Sequence, residues 1–512
     1  MQSVQMLPPP SRCVGTDDGD DTRPEHHMLP VSVSPVLSAM LTSVPVPPLP
    51  SDGDSRLDRA GTYSRKLQGR SGEYEGRDVV PMWVADMCLS APQPIVDAIV
   101  ARAQHGVYGY TDCPAALTAS MLTHLEAYYE CRRPEATWFR WLPGLLPGLN
   151  HAVRACCTPG SGDAVAVATP IYPPFLDTAT NCGAALVRVA LTEARLGESS
   201  LRHSIEWGAL EATLAAPTTK VLLWCNPHNP TGRCWSRDDL LRLARLCVEH
   251  EVTLLSDEVW GEMPLSDDAP FTSCLSLLAP EAGEAAPEAA SETGPGVGPE
   301  TVAGLRQRLI VLTSPSKTYN VASLDIALAI VPHAPLLARF RAVGRDAAEV
   351  TPFGYTAALL TNPNPNLLTL ASTADPNPNP NQVTPFGYTA ALAAYSQPEC
   401  AAWRLRLLTH LRANRDHALA VLAALPGVRA TCPEASYLMW LDVTDALPEG
   451  VISSGVTATE HLLSHGVALS DGVTFGATAG HVRLNLGCTR EMLDRALQRM
   501  QKALAADAEI GK

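Results

Sequence analysis

No stretch of roughly 18 consecutive apolar residues occurs in the 512-residue chain, because Pro, Ser and Thr interrupt every candidate. A membrane-spanning helix is therefore not expected. Basic charge is scarce: 38 Lys and Arg stand against 53 Asp and Glu, for a formal charge of -15. That balance argues against a nucleic-acid backbone or an anionic membrane as the main partner and favours a small molecule. No C-x-x-C spacing joins any of the 14 cysteines, and the adjacent pair Cys156-Cys157 is too close to suggest a disulfide framework. The thiols read as reduced, in a cytosol-like compartment. No metal site is expected either.

Hydrophobic content of 46% and the length allow a large core and more than one domain. Residues 1–55 are rich in Pro, Ser and Asp and are expected to form a disordered extension. The acidic run Asp17-Asp18-Gly-Asp20-Asp21 matches a transit peptide poorly, whereas the acid-free stretch from Ser34 to Ser51 leaves a plastid or other organelle address open. A cytoplasmic location is the expectation.

From Val79 to about Pro352, short apolar runs alternate with helical patterns, as in a mostly parallel α/β sheet. Val165–Thr169, Val221–Cys225 and Val252–Ser256 read as strands that end at Pro170, Asn226 and Asp257. Ligands of open α/β sheets bind beyond the carboxyl ends of strands, so chemistry is expected there. Ser236 caps a crossover helix whose Leu240, Leu243, Ala244 and Cys247 form a core-facing stripe. The Ala/Glu/Gly/Pro-rich stretch 280–302 is expected to be a surface insert. An identical ten-residue segment, Val350 to Leu359, recurs as Val383 to Leu392, and the Asn-Pro filler between the copies cannot build a helix. One copy is expected to start a helix and the 350–382 segment to be superfluous. Beyond it, Trp403 to Ala424 and Arg490 to Ala505 read as helices, with strands near Tyr437–Leu441 and Val482–Leu486. The expected organisation is an N-terminal segment 56–90 that joins the small domain, a large domain 91–349 and a small α+β domain 383–512.

Three motifs carry chemistry: Asn226-Pro-His-Asn229-Pro-Thr-Gly232, Ser256-Asp257-Glu258 and Ser314-Pro-Ser316-Lys317. A lysine amine can bond covalently to an aldehyde cofactor, an aspartate can keep a pyridine nitrogen protonated, and an asparagine can hydrogen-bond a ring oxygen. Together they predict an enzyme that binds pyridoxal phosphate. Singly each has a plainer reading: an Asn-Pro turn, a helix cap at Asp257, a solvated lysine. Their order in the chain is what counts.

That order resembles the class I/II aminotransferase superfamily of pyridoxal phosphate fold type I, from about Asp78 to Ala505. Pro81-Met-Trp-Val-Ala-Asp-Met87, His105-Gly-Val-Tyr-Gly-Tyr110-Thr111, Ser316-Lys-Thr-Tyr-Asn320 and Val482-Arg-Leu-Asn-Leu-Gly487 look like the branch of cystathionine β-lyases and cysteine-S-conjugate β-lyases. The resemblance implies an α/β large domain with a mostly parallel central sheet between helices, plus the smaller α+β domain. It also implies roles. Lys317 would bond the cofactor and shuttle the α-proton, Asp257 would pair with the ring nitrogen, and Asn229 would meet the ring oxygen. Tyr172 would stack on the ring. Ser314, Ser316 and the backbone around Gly144, Leu145 and Leu146 would hold the phosphate, with Tyr110 reaching across a homodimer interface. Arg483 would grip the substrate carboxylate through two parallel hydrogen bonds. Cys88, Pro173, Ser323 and Trp260 depart from the commonest residues of the branch.

The expected activity is β-elimination from an amino-acid substrate such as cystathionine or a cysteine S-conjugate, giving thiol, pyruvate and ammonia. The rivals are an aminotransferase and a non-catalytic regulator on the same scaffold.

Overall fold

The computed structural model describes residues 72–109, 111–278, 298–344 and 384–504, together with 64–69 and the single residues 49, 59 and 62. Its fifteen strands, in chain order, are β1 (Val80–Pro81), β2 (Phe139–Leu142), β3 (Ala164–Thr169), β4 (Ala185–Ala190), β5 (Thr192–Leu196), β6 (Ser200–Ser204), β7 (Thr219–Cys225) and β8 (Thr253–Asp257). They continue as β9 (Leu309–Thr313), β10 (Ala327–Ile330), β11 (Arg429–Thr431), β12 (Leu438–Asp442), β13 (Val467–Ala468), β14 (Ser470–Asp471) and β15 (His481–Asn485).

Seven of them form the central sheet in the order β2-β10-β9-β8-β7-β3-β4. The pairings from β4 through β9 are parallel, and β10 runs against both β9 and β2. The core strands β3, β7, β8 and β9 are buried nearly throughout, as their apolar runs require when helices cover both faces. One such helix, Arg237–Glu249, starts at Ser236, whose hydroxyl accepts from the Asp239 amide while Asp239 closes the capping box. It buries Leu240, Leu243, Ala244 and Cys247, the stripe seen in the sequence.

The second sheet has the order β14-β15-β12-β11-β6-β5. Its hairpin β5–β6 comes from residues 192–204, within the span expected to build only the large domain. Long helices Pro398–Ala423 and Arg490–Leu504 pack with it around a core that includes Leu407, Leu411, Leu438 and Met500. β1 pairs with β13, so the 80–87 segment is fastened to the C-terminal part of the chain.

The second copy of the repeat begins a helix: Thr384 caps Pro385–Ser396 by accepting from the Gly387 amide at 2.9 Å. The first copy lies outside the described residues, as does most of the 280–302 stretch. Residues 299–302 of that stretch are the opening turn of a helix, Pro299–Arg306, with Pro at its first position. Leu49, within the expected disordered extension, packs against the second core. Among the described residues no helix is long and apolar enough to cross a membrane.

Candidate active site

The carboxyl ends of β7, β8 and β9 lie side by side, and each delivers one motif. Asp257 is the last residue of β8. Its Oδ1 accepts from the Val259 amide at 3.1 Å, and burial pushes its carboxyl up to about 6 against the pull of that bond and of Lys317. After β7 the chain turns through Asn226–Gly232. Asn226 anchors the turn, donating from Nδ2 to the Thr272 carbonyl at 2.8 Å. Gly232 has φ +74°, and a Cβ there would stand 2.5 Å from the Cβ of Pro433. Only glycine lets this turn press against the second domain. The turn carries Asn229, whose carbonyl accepts from the Tyr172 amide at 3.1 Å.

Lys317 sits just past the end of β9, in the one-turn helix Pro315–Thr318. Its Nζ donates to the Ala85 carbonyl at 2.9 Å and lies 5.9 Å from the centre of the Trp260 ring. Burial lowers its amine to about 8, although the negative charges of Asp86 and Asp257 work against the shift; the positive charge of Arg483 adds to it. A lysine held this way supplies neutral amine near physiological pH, which nucleophilic or base chemistry requires.

Arg483 enters from β15, with 4% of its surface exposed. Nη1 donates to Asn229 Oδ1 at 2.9 Å, and Nη2 donates to the Trp83 carbonyl at 2.9 Å and to Ser470 Oγ at 3.1 Å. Its Nε is buried without a partner, and the guanidinium lies 4.8 Å from the Phe475 ring centre. Burial holds its pKa down, at about 10. Tyr172, ahead of helix Pro173–Asn181, has its hydroxyl pKa raised by burial, with the charge of Arg483 opposing and that of Asp257 adding. Lys317, Asp257, Asn229, Arg483 and Tyr172 are thus brought together.

The residues expected to form the phosphate cradle, Tyr110 aside, lie at one sheet edge. Because β2 is antiparallel to β10 and β10 to β9, β2 ends at the same sheet edge as β9. Helix Leu145–Cys156 therefore starts at that edge. Its N-cap is Gly144, with φ +105° and no side-chain cap, so the amides of Leu145 and Leu146 remain available for an anion. The Ser314 hydroxyl donates to the Ile326 carbonyl at 2.7 Å and accepts from the Ser316 amide at 3.0 Å, so it caps the lysine helix. Ser316 keeps its hydroxyl without a hydrogen bond among the described residues. Tyr110 lies outside the described residues.

Sequence reasoning assigned no role to the main chain of 83–87, yet each of these carbonyls accepts a bond from a side chain remote in sequence. Trp83 receives Arg483, Val84 receives Asn485, and Ala85 receives both Lys317 and the Tyr437 hydroxyl at 3.0 Å. Asp86 receives Lys66 at 2.9 Å and Asn485 at 2.7 Å; Met87 receives Asn320 at 2.9 Å and Arg59. Asp86 also pairs by its carboxylate with Arg59 at 2.9 Å and Lys66 at 3.2 Å. Lys66 is 1% exposed, and it is this pairing that makes a buried ammonium tolerable.

Residues 95–500 match the family described as "Aminotransferase class I and II". The chain belongs to that family. It is 31% identical over 459 residues to cystathionine beta-lyase PatB of Bacillus subtilis, covering 88% of this chain and 99% of that one. The crystal structure of OvoB is similar at 30% identity, with a TM-score of 0.66 and coverage of 88% and 98%. Cystalysin of Treponema denticola, solved with pyridoxal 5'-phosphate, shares the fold with a TM-score of 0.69 at 22% identity, over 89% of this chain and 99% of that one.

Proposed function

We propose that this family member is a pyridoxal phosphate-dependent carbon-sulfur lyase that eliminates a thiol from cystathionine or a cysteine S-conjugate, leaving pyruvate and ammonia. The observation that carries the reading is the Lys317 amine, lowered to about 8 and set among Asp257, Asp86 and Arg483. The donor set fits the cofactor. Lys317 would hold its aldehyde covalently, and Asp257, buried at a strand end, would pair with its ring nitrogen. Tyr172 would cover the ring, the side-chain amide of Asn229 would serve the ring oxygen, and the amides of Leu145 and Leu146 with Ser316 would take the phosphate. Bound there, pyridoxal phosphate supplies the electron sink for the pair left when the substrate α-proton departs.

The protein's own groups do the rest. Arg483 is preorganised by Asn229, Trp83 and Ser470; its guanidinium binds the substrate carboxylate, so only substrates with a free α-carboxylate are oriented. The Lys317 amine, lowered to about 8, would be the base that takes the α-proton. The ring of Trp260, packed edge-on against Tyr437 at 4.8 Å between centroids, walls the side of the site next to Lys317. Identity to a cystathionine β-lyase over nearly its whole length favours elimination over transamination. A homodimer, with Tyr110 of one subunit serving the other, completes the proposal.

The test is incubation of purified protein with L-cystathionine in the absence of any keto acid. Pyruvate and free thiol should form together, and both should vanish in Lys317→Ala. A cofactor that instead passes to its amine form, recovers with a keto acid and releases no thiol would make the protein an aminotransferase.

A further inference from the structure

On the second sheet, away from the lysine, two cross-strand pairs converge. Glu193 faces His203 across the β5–β6 hairpin, and Asp442 faces His481 across β12–β15. Glu193 Oε2 lies 3.1 Å from His481 Nε2 and 3.2 Å from His203 Nε2. Donor atoms of Glu193, Asp442 and His481 all fall within 4.8 Å of one another.

We infer that Glu193, Asp442 and His481 form a binding site for a divalent first-row metal of the manganese class, with His203 as its supporting residue. In an octahedral site with bonds of about 2.1–2.2 Å, adjacent donors stand about 3.0–3.1 Å apart, and Glu193 and His481 already have that spacing. Two carboxylates and one imidazole suit a borderline-hard ion such as Mn(II), with water in the remaining positions.

The surroundings are those of a built site. Without an ion, His481 Nε2–H donates to Glu193 Oε2 at 3.1 Å; Nδ1 lies 2.7 Å from Thr478 Oγ1, which can accept from Nδ1–H in the tautomer that would turn the Nε2 lone pair to the ion. Trp440 stacks on the His481 ring at 5.6 Å. Asp442 is held by Arg429 at 3.4 Å, by Arg195 at 3.2 Å and by the Thr444 amide at 2.9 Å. Arg195, with 53% of its side chain exposed, can swing into water when the ion takes its place. His203 supplies the independent sign: it is 1% exposed, its Nδ1 is buried without a partner, and its Nε2 faces Glu193. A buried imidazole steering a carboxylate is the usual outer-shell partner of a metal ligand.

The experiment uses the holoenzyme, treated with chelator and dialysed, to which Mn(II) is added while free Mn(II) is followed by electron paramagnetic resonance. Manganese is chosen because the many cysteine thiols prefer softer metals. One bound ion per chain is expected. Binding should disappear in His481→Ala and in the size-conserving Glu193→Gln, and weaken by about 10- to 100-fold in His203→Ala. In parallel, Mn(II) should raise the melting temperature of the wild type and leave that of Glu193→Gln unmoved. Absence of binding by the wild type, or binding unaffected by Glu193→Gln and His481→Ala, would overturn the site.

Discussion

Arg483 and Asn229 meet through one hydrogen bond, Nη1 to Oδ1 at 2.9 Å, which joins the second sheet to the loop after β7. The residue proposed to hold substrate and the residue proposed to hold cofactor are therefore oriented by each other. Arg483→Lys removes the planar fork and this bond together. It should cut kcat/KM by about 10- to 100-fold, equivalent to ~1.5–3 kcal/mol for a charge-assisted hydrogen bond, mostly through KM, and leave the visible cofactor band in place. Steady-state kinetics with cystathionine, beside an absorption spectrum, decides it.

Ser314 and Ser316 should separate. Ser314→Ala leaves the Ser316 amide and the Ile326 carbonyl without their partner and should cost about 1 kcal/mol of stability, read by denaturant unfolding. Ser316→Ala should leave stability alone and weaken cofactor binding, read by titrating cofactor-free protein with pyridoxal phosphate. Equal effects of both on cofactor affinity would refute the division.

Asp257 makes a prediction about pH. Its folded pKa of about 6 stands above an unfolded value of about 3.9, so in cofactor-free protein the fold holds the proton more tightly than the unfolded chain does. Its contribution to stability is full below about 4 and is lost as pH rises through about 6. Asp257→Asn, which stays neutral, should therefore gain on the wild type between pH 5 and pH 7.5 in urea unfolding of the cofactor-free proteins. A constant difference across that range would contradict it.

Gly232→Ala should destabilise by about 2 kcal/mol or more, since the left-handed backbone and the collision with Pro433 add. The collision lies between the turn that carries Asn229 and the second domain. The melting temperature should fall and cofactor affinity with it.

Deleting residues 350–382 leaves the Thr384 cap and the helix behind it intact. The shortened chain should stay soluble and keep its cofactor band. Aggregation of that variant, or loss of the band, would show the segment to be needed.

Much of this was legible in the sequence because chemistry and strand ends coincide. Asp257 and Asn229 follow apolar runs that could only be buried strands, and the Ser236 capping box announced its helix. The helix after β9 was not legible, since four residues are too few for a periodicity. Ser314 reads two ways in the sequence, because a serine before a short helix serves equally as a cap and as an anion donor; its bond to the Ile326 carbonyl shows the capping arrangement. Asp86, Lys66 and Tyr437 escaped notice because they act around main-chain carbonyls, which carry no residue-type signal. Glu193, His203, Asp442 and His481 escaped because they are neighbours only through strand register.

The run of carbonyls from Trp83 to Met87 behaves as a ruler. Substituting a side chain there leaves the oxygen atoms where they are, so Val84 or Ala85 could change with modest effect. Adding or removing one residue would instead offer each of Arg483, Asn485, Lys317, Lys66 and Asn320 the wrong carbonyl at once. This stretch should tolerate changes of spelling and no change of length.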